Sequence, residues 1–106
     1  MITEIVFFDL PKGISREELL AKYRLSAAKW AQNPDLVRKY YFFDKEKDLG
    51  GGVYIWKDRK SALHWHGPEY RKMIKDVYGS EPNIQILDTL LTVDNLADKI
   101  IELDDA

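Results

Sequence analysis

Two histidines lie close together past the middle of the chain, and one of them is placed for acid–base chemistry. His66 follows Leu63 by three residues and precedes Tyr70 by four, so on a helix it shares the core-facing stripe, while His64 points to solvent. A buried histidine beside aromatic rings can remove the proton of a phenol or quinol, leaving an electron-rich anion that reacts with O₂ without a cofactor. His66 is therefore the candidate catalytic residue. The alternative is a core histidine whose nitrogens are satisfied by backbone or water.

Several aromatic side chains are candidates for the walls of a slot that binds a flat substrate. Their rings supply apolar contact area, and their N–H and O–H groups can orient a ligand. Trp65 comes first, because it precedes a predicted helix break at Gly67-Pro68, where a kink can open space beneath the ring. Rings of this kind also fill ordinary cores, which is the alternative for each of them. The candidates are Trp65, Tyr54, Trp56, Tyr70 and Trp30.

Metal-ion and cofactor chemistry is not expected. His64 and His66 are two residues apart and point to different sides of a helix, which leaves only His66 and Glu69 as a pair of ligands. The triple glycine at 50–52 lacks the lysine and the following helix of a phosphate-binding loop. The chain has no cysteine, which excludes thiolate chemistry and a disulfide framework. We predict no metal and no cofactor.

The composition is that of one folded domain that binds neither nucleic acid nor a membrane. The 106 residues are 45% hydrophobic and 32% charged, and 16 Lys plus Arg against 18 Asp plus Glu give a net charge of −2. The chain lacks the basic excess of nucleic-acid-binding proteins, and basic residues such as Lys39 are predicted to lie on a solvated surface. No apolar run approaches the roughly 20 residues of a membrane-spanning helix, and no signal peptide is evident. Because cysteine is absent, a cytoplasmic location is predicted.

The elements that must position these residues follow the order β-α-β-β-α-β. Strands are predicted at 2–9, 36–44, 53–56 and 82–93. Helices are predicted from the Ser15 cap to about Gln32, and from Asp58 to Gly79 with an interruption near Gly67-Pro68. This order predicts an α+β, ferredoxin-like subunit with a four-stranded antiparallel sheet and both helices on one face. It forms a single domain over 1–106, with a core at about 1–93 and a short amphipathic tail at 94–106.

Both faces of the predicted sheet are apolar. The segments 40–43 and 53–56 place aromatic or aliphatic side chains on either side of their strands. Two helices can cover only one face, so the other is expected to pack on a second copy of the chain in a two-fold homodimer. The alternative is that the tail folds across it. Which residues of 53–56 face the helices depends on the strand register and stays open.

Four short motifs carry a resemblance to a known family. They are Gly51-Gly-Val-Tyr-Ile-Trp56, Lys60-Ser-Ala62, Gly67-Pro-Glu-Tyr70 and Thr92-Val-Asp-Asn95. With them the chain resembles the YdhR-like mono-oxygenase family of the dimeric α/β-barrel superfamily, which also holds the antibiotic-biosynthesis mono-oxygenases. The resemblance implies a homodimer whose sheets close a barrel, with a pocket between the sheet and helices of each subunit. It brings no established set of catalytic residues, because fold does not fix function.

These features predict a cofactor-independent mono-oxygenase that acts on a small aromatic or quinol-like molecule. His66 is its expected base, and the aromatic candidates are its expected walls. A non-catalytic dimer that binds a small aromatic or apolar molecule is the alternative, together with a stress-response dimer whose aromatic residues are only core. The fate of a bound ligand in air distinguishes an enzyme from a binding protein.

Overall fold

Nine elements follow one another along residues 1–103, the part of the chain that the computed structural model describes. They are β1 (Ile2–Asp9), α1 (Arg16–Ala31), β2 (Leu36–Asp44), β3 (Leu49–Trp56), α2 (Arg59–Trp65), α3 (Pro68–Tyr78), β4 (Asn83–Asp88), β5 (Leu91–Asp94) and β6 (Lys99–Glu102). The domain is α+β, and through β4 it has the predicted β-α-β-β-α-β order, with the second helix in two pieces.

Local capping signals determine where the helices begin and end. Before α1, the Ser15 hydroxyl accepts a hydrogen bond from the backbone N–H of Glu18 at 3.1 Å. Before α2, the Asp58 carboxylate accepts from the N–H of Ser61 at 2.8 Å. Pro68 begins α3 and thereby produces the predicted break, because its missing N–H is tolerated in the first helical turn. Gly79 ends α3 with a φ of 89°, a left-handed conformation that glycine adopts without strain.

The first four strands form one antiparallel sheet in the order β2-β3-β1-β4. This order, with the helices packed on one face, is consistent with a ferredoxin-like fold. β1 has a neighbouring strand on each side, and its side chains point alternately to the two faces of the sheet. Those on the helix side are buried, and most of those on the other side are half-buried. The buried phase consists of Ile2, Glu4, Val6 and Phe8. Three of these side chains are apolar, and the fourth is a carboxylate.

The strand register settles which residues of β3 face the helices. Tyr54 and Trp56 are buried in the core beneath the helices, while Val53 and Ile55 point to the other face and are half-buried. On β2, Tyr41 packs against the same core and Tyr40 is 53% exposed on the other face. The other face of the sheet, which we call the outer face, therefore remains apolar and largely uncovered.

The triple glycine lies inside β3, which begins at Leu49 rather than at the predicted residue 53. A Cβ at Gly51 would overlap the carbonyl oxygen of Val6 on the neighbouring strand. The Tyr23 hydroxyl of α1 also reaches this strand, where it accepts from the N–H of Gly51 at 3.0 Å and donates to the carbonyl of Phe42 at 2.8 Å. Glycine is needed here because backbone and a tyrosine side chain approach β3 closely.

The single long strand predicted at 82–93 is wrong. β4 pairs with β1, and that pairing stops at Ile2, where β1 begins. Asp88 is therefore the last residue of β4. The chain then forms a separate hairpin in which β5 pairs with β6, so the predicted amphipathic tail includes a strand. Asp94 makes the turn, because its carboxylate accepts from the N–H groups of Leu96 and Ala97. The end of the predicted tail, 104–106, lies outside the described residues.

Over the range 1–103, none of the helices combines the length and the apolar character that crossing a membrane would require.

Candidate functional site

A cavity of about 310 Å³ lies between the sheet and the helices α1 and α3. The backbone of Gly51 and Gly52 forms part of its floor, and rings from five elements form its walls. Its volume is at the lower end of the range of roughly 300–1,000 Å³ that is usual for small-molecule sites. The lining residues that bear on its chemistry are Trp30, Lys39, Tyr41, Tyr54, Tyr70 and Tyr78.

Lys39 provides a basic group in this aromatic cavity. Its Nζ lies 3.7 Å from the centre of the Tyr41 ring, 4.4 Å from that of Tyr54 and 5.1 Å from that of Trp30. In residues 1–103 no carboxylate lies within ion-pair distance of this amine. Burial lowers the pKa of Lys39 to about 7, because an apolar environment disfavours the charged ammonium. Near neutral pH, Lys39 is therefore divided between ammonium and free amine.

Two tyrosine hydroxyl groups meet beside this lysine. The Oη atoms of Tyr54 and Tyr70 are 2.9 Å apart and buried. Burial raises the pKa of Tyr54 well above its ordinary value, and it also raises the pKa of Tyr70. Both hydroxyls therefore keep their protons at neutral pH. One proton forms the bond between them, which leaves the other proton to be donated elsewhere.

A buried carboxylate and a buried imidazole lie in contact with these tyrosines. His66 Nδ1 is 2.5 Å from Glu4 Oε1, and Trp56 Nε1 donates to the same oxygen at 2.8 Å. The His66 ring stacks on Tyr70 with 3.7 Å between ring centres, and it meets the Tyr54 ring edge-on at 4.3 Å. Within the described chain, His66 Nε2 and Glu4 Oε2 have no hydrogen-bond partner. The Glu4 carboxylate raises the pKa of His66, but burial lowers it by more. The net shift is downward and favours the neutral imidazole.

This lowered pKa predicts that acid destabilises the fold through His66. Below about pH 6.5, the ordinary histidine pKa, the unfolded chain takes up a proton that folded His66 resists, so stability falls as pH falls. Above that pH both states are neutral at this site and its contribution is fully present. Urea unfolding of His66→Phe across this range should show a weaker pH dependence than the wild type. His64→Phe, at an exposed position, is the control, and an unchanged slope in His66→Phe would refute the prediction.

The structure brings together only some of the residues that the sequence predicts for the site. Trp30, Tyr54 and Tyr70 line the cavity. His66 and Trp56 do not line it, and both lie in the buried layer around Glu4.

Trp65, the first-ranked wall candidate, does not line this cavity either. Its Nε1 donates to the Asp35 carboxylate at 3.0 Å, and its ring lies along a separate surface groove with Trp30 and Tyr70. Gly67 and Pro68 line the same groove, so the helix break opens space beside Trp65 that is separate from the cavity.

Sequence reasoning missed two charged residues of this region. The prediction that Lys39 lies on a solvated surface is wrong, since its side chain enters the cavity. Lys39 is two residues before Tyr41 on β2, so both side chains point to the same face of the sheet, and this spacing is the sequence signal for the placement. Glu4 was also missed, although it alternates with Ile2 and Val6 in the buried phase of β1, where a carboxylate needs a specific partner.

The fold and the cavity define an α+β domain with a cavity that is lined by aromatic rings and contains a basic group. Among residues 1–103, no three His, Cys, Asp or Glu side chains come together as a metal site would require. A search against protein-family models matches none of them, and no curated protein matches the chain.

Proposed function

We propose that the cavity binds a small, flat aromatic molecule with an acidic hydroxyl group, and that the protein oxidises it as a cofactor-independent mono-oxygenase. The observation that carries this proposal is the position of Lys39, an amine without a carboxylate partner among the described residues, against three aromatic rings of one cavity. The volume of about 310 Å³ suits a molecule of one or two rings.

Lys39 takes the role of the base in this proposal. Its free amine removes the proton of the bound phenol, and the resulting ammonium then stabilises the phenolate in surroundings of low dielectric constant. With a pKa of about 7, the amine is available at neutral pH. His66, the base expected from the sequence, acts as a positioning residue, because it stacks on Tyr70 and does not line the cavity.

The oxidation that follows needs no further reductant. The phenolate donates electrons to O₂ from the ring carbon opposite its oxygen, and a C–O bond forms there. The O–O bond then breaks, one oxygen atom stays on the ring, and the other leaves as water with the hydrogen of that carbon and the phenolic proton. A phenol and O₂ thus become a quinone and water, and the substrate supplies all four electrons.

Replacing Lys39 with methionine tests this role. We expect Lys39→Met to reduce oxygen uptake with 1-naphthol by about 10²-fold or more, as the loss of a general base does. Wild-type uptake should rise as pH increases through about 7, because the free amine is the active form. An oxygen electrode measures the rate, and tryptophan fluorescence measures naphthol binding.

Lys22→Met is the matched control, since Lys22 also lines the cavity but makes no contact with the three rings around Lys39. Equal rates in Lys39→Met and Lys22→Met would contradict the assignment.

A non-catalytic binding protein is the second candidate. This candidate is favoured because Lys39 has no carboxylate partner among the described residues, and an ammonium alone can bind a phenolate without any further reaction. Binding of 1-naphthol in air, followed by its recovery unchanged, would support the binding protein against the enzyme. A stress-response dimer whose aromatic residues are only core would instead bind no naphthol.

The homodimer belongs to the same proposal. The outer face of the sheet presents apolar side chains from four strands, and the β5–β6 hairpin beside it exposes more. The outer-face residues include Ile5, Phe7, Phe42, Val53, Ile55 and Leu87. The hairpin exposes Leu91, Val93, Leu96 and Ile100. A second copy packed sheet to sheet would bury this surface and close a barrel, and the absence of cysteine keeps a cytoplasmic location in the proposal.

Analytical ultracentrifugation tests the dimer. We expect a dimer at micromolar concentration for the wild type and a monomer for Val53→Glu, because the variant places a charge at the centre of the outer face. Ala28→Glu, on the exposed side of α1, should remain dimeric. A monomeric wild type, or a dimeric Val53→Glu, would overturn the sheet-to-sheet arrangement.

A further inference from the structure

We propose that Lys39 is also an amine nucleophile, which forms a reversible imine with an aromatic aldehyde bound in the cavity. This inference rests on the proposed binding of a flat aromatic molecule, and it is independent of any reaction with O₂. It adds carbonyl compounds to the ligand class of the cavity and assigns a covalent step to a residue of this chain.

The surroundings of Lys39 favour a reactive amine. Nζ lies against the faces of Tyr41, Tyr54 and Trp30, which shield the amine from water and so disfavour its charged form. No carboxylate among residues 1–103 pairs with it. A lysine that is desolvated in an apolar pocket in this way is the usual form of an imine-forming lysine.

A proton donor for the carbonyl oxygen is adjacent. The Tyr54 ring contacts Lys39 Nζ at 4.4 Å, and its hydroxyl is paired with that of Tyr70. Because this pair uses only one of its two protons, the other can be donated to the carbonyl oxygen of a bound aldehyde. Lys39 and Tyr54 are cross-strand partners on β2 and β3, so the nucleophile and the donor lie side by side in one wall of the cavity.

The step balances without an oxidant or reductant. The nitrogen lone pair of the free amine attacks the carbonyl carbon, and a C–N bond forms as the oxygen gains a proton. The nitrogen loses its two protons, one to the oxygen and one back to the tyrosine pair, the C–O bond breaks as the C=N bond forms, and the oxygen leaves as water. Hydrolysis reverses the reaction, so an external hydride donor is needed to make the adduct permanent.

The expected selectivity is large. With a pKa of about 7, the neutral fraction of Lys39 at neutral pH exceeds that of an exposed lysine, whose pKa is about 10.4, by on the order of 10³. The amine faces titratable groups from every element packed around it, and they would shift the pH profile of labelling. These groups are Lys22, Tyr23 and Lys29 on α1, Tyr41 on β2, Tyr54 on β3, Tyr70 and Tyr78 on α3, and His66 with Glu4 behind them.

Reductive trapping tests the proposal. The wild type is incubated at neutral pH with benzaldehyde and cyanoborohydride, and intact-mass spectrometry with peptide mapping locates the benzyl group. We expect one benzyl group on Lys39, with labelling faster than at any exposed lysine. Lys39→Arg keeps the charge but lacks a nucleophilic amine at this pH, and it should lose this fast label. Lys60→Met, at an exposed position on α2 outside the cavity, should keep it.

Competition with 1-naphthol separates the two proposals. Protection of Lys39 from benzaldehyde by naphthol supports both proposals. Naphthol binding without a fast label on Lys39 overturns the imine inference and leaves the proposed function standing. Slow labelling spread equally over the exposed lysines, together with no naphthol binding, overturns both. Because mapping is done on the wild type, the result does not depend on the folding of a variant.

Discussion

Gly51→Ala is expected to cause the largest loss of stability. The new Cβ would overlap the carbonyl oxygen of Val6 and lie 2.6 Å from the Phe42 ring, so two neighbouring strands would have to move. Gly51 also has a φ of 153°, which disfavours a side chain. We expect a cost of more than about 4 kcal/mol, against a total stability of about 5–15 kcal/mol for a typical domain.

Gly79→Ala is the matched control for this substitution. Gly79 has a φ of 89°, but no atom lies within 4 Å of the position that its Cβ would take. Its cost is therefore backbone strain alone, about 1–2 kcal/mol. Urea unfolding monitored by circular dichroism compares the two variants. Equal costs would show that β1 and β2 do not constrain Gly51, contrary to the close approach described above.

Glu4→Ala is expected to produce the second largest loss of stability. Glu4 Oε1 accepts the Trp56 N–H and contacts His66 Nδ1, and all three side chains are buried. Removal of the carboxylate leaves two buried nitrogens without an acceptor and leaves a void beside them. A buried donor left without an acceptor costs about 1–3 kcal/mol, and the void adds to that loss. Unfolding in urea measures the loss, and a changed tryptophan emission spectrum would report the altered site around Trp56.

Two further substitutions bracket this result. Glu4→Gln keeps an acceptor for the Trp56 indole and nearly the same volume, so its cost should lie well below that of Glu4→Ala. Glu46→Ala, at the exposed tip between β2 and β3, should change stability by no more than about 0.5 kcal/mol. If Glu4→Ala were as mild as Glu46→Ala, the network around Glu4 would contribute little to the fold.

Local signals account for most of what the sequence predicts about the fold. Ser15 and Asp58 mark helix starts, and Gly67-Pro68 marks the helix break, because each acts through atoms within a few residues of itself. The errors lie where pairing between distant segments decides the structure. Glycines disfavour strands locally, yet 50–52 pair on both sides, and the end of β4 depends on where β1 begins.

The candidate site was predictable to the extent that helix faces and strand alternation determine it. Trp30, Tyr54 and Tyr70 lie in the cavity wall as the sequence suggests. Lys39 and Glu4 were missed because their charge suggested exposure. Each lies on the same strand face as buried or half-buried apolar residues, and that position decides where its side chain goes. The position of Trp65 depends on how α2 sits on the sheet, and no local pattern encodes that.

The glycine floor of the cavity makes its size adjustable in small steps. A methyl group at Gly52 would lie 3.1 Å from both Lys39 Cε and the carbonyl oxygen of Tyr40, and 3.3 Å from the Tyr54 ring, so two side chains and the backbone of β2 would have to move by a few tenths of an ångström. At Gly51 the same methyl would collide with β1. Chains of this architecture can therefore differ at position 52 and accept narrower or wider ligands, while position 51 must stay glycine for the sheet to form. The range of ligands thus depends on position 52, and the ability to fold depends on its neighbour, position 51.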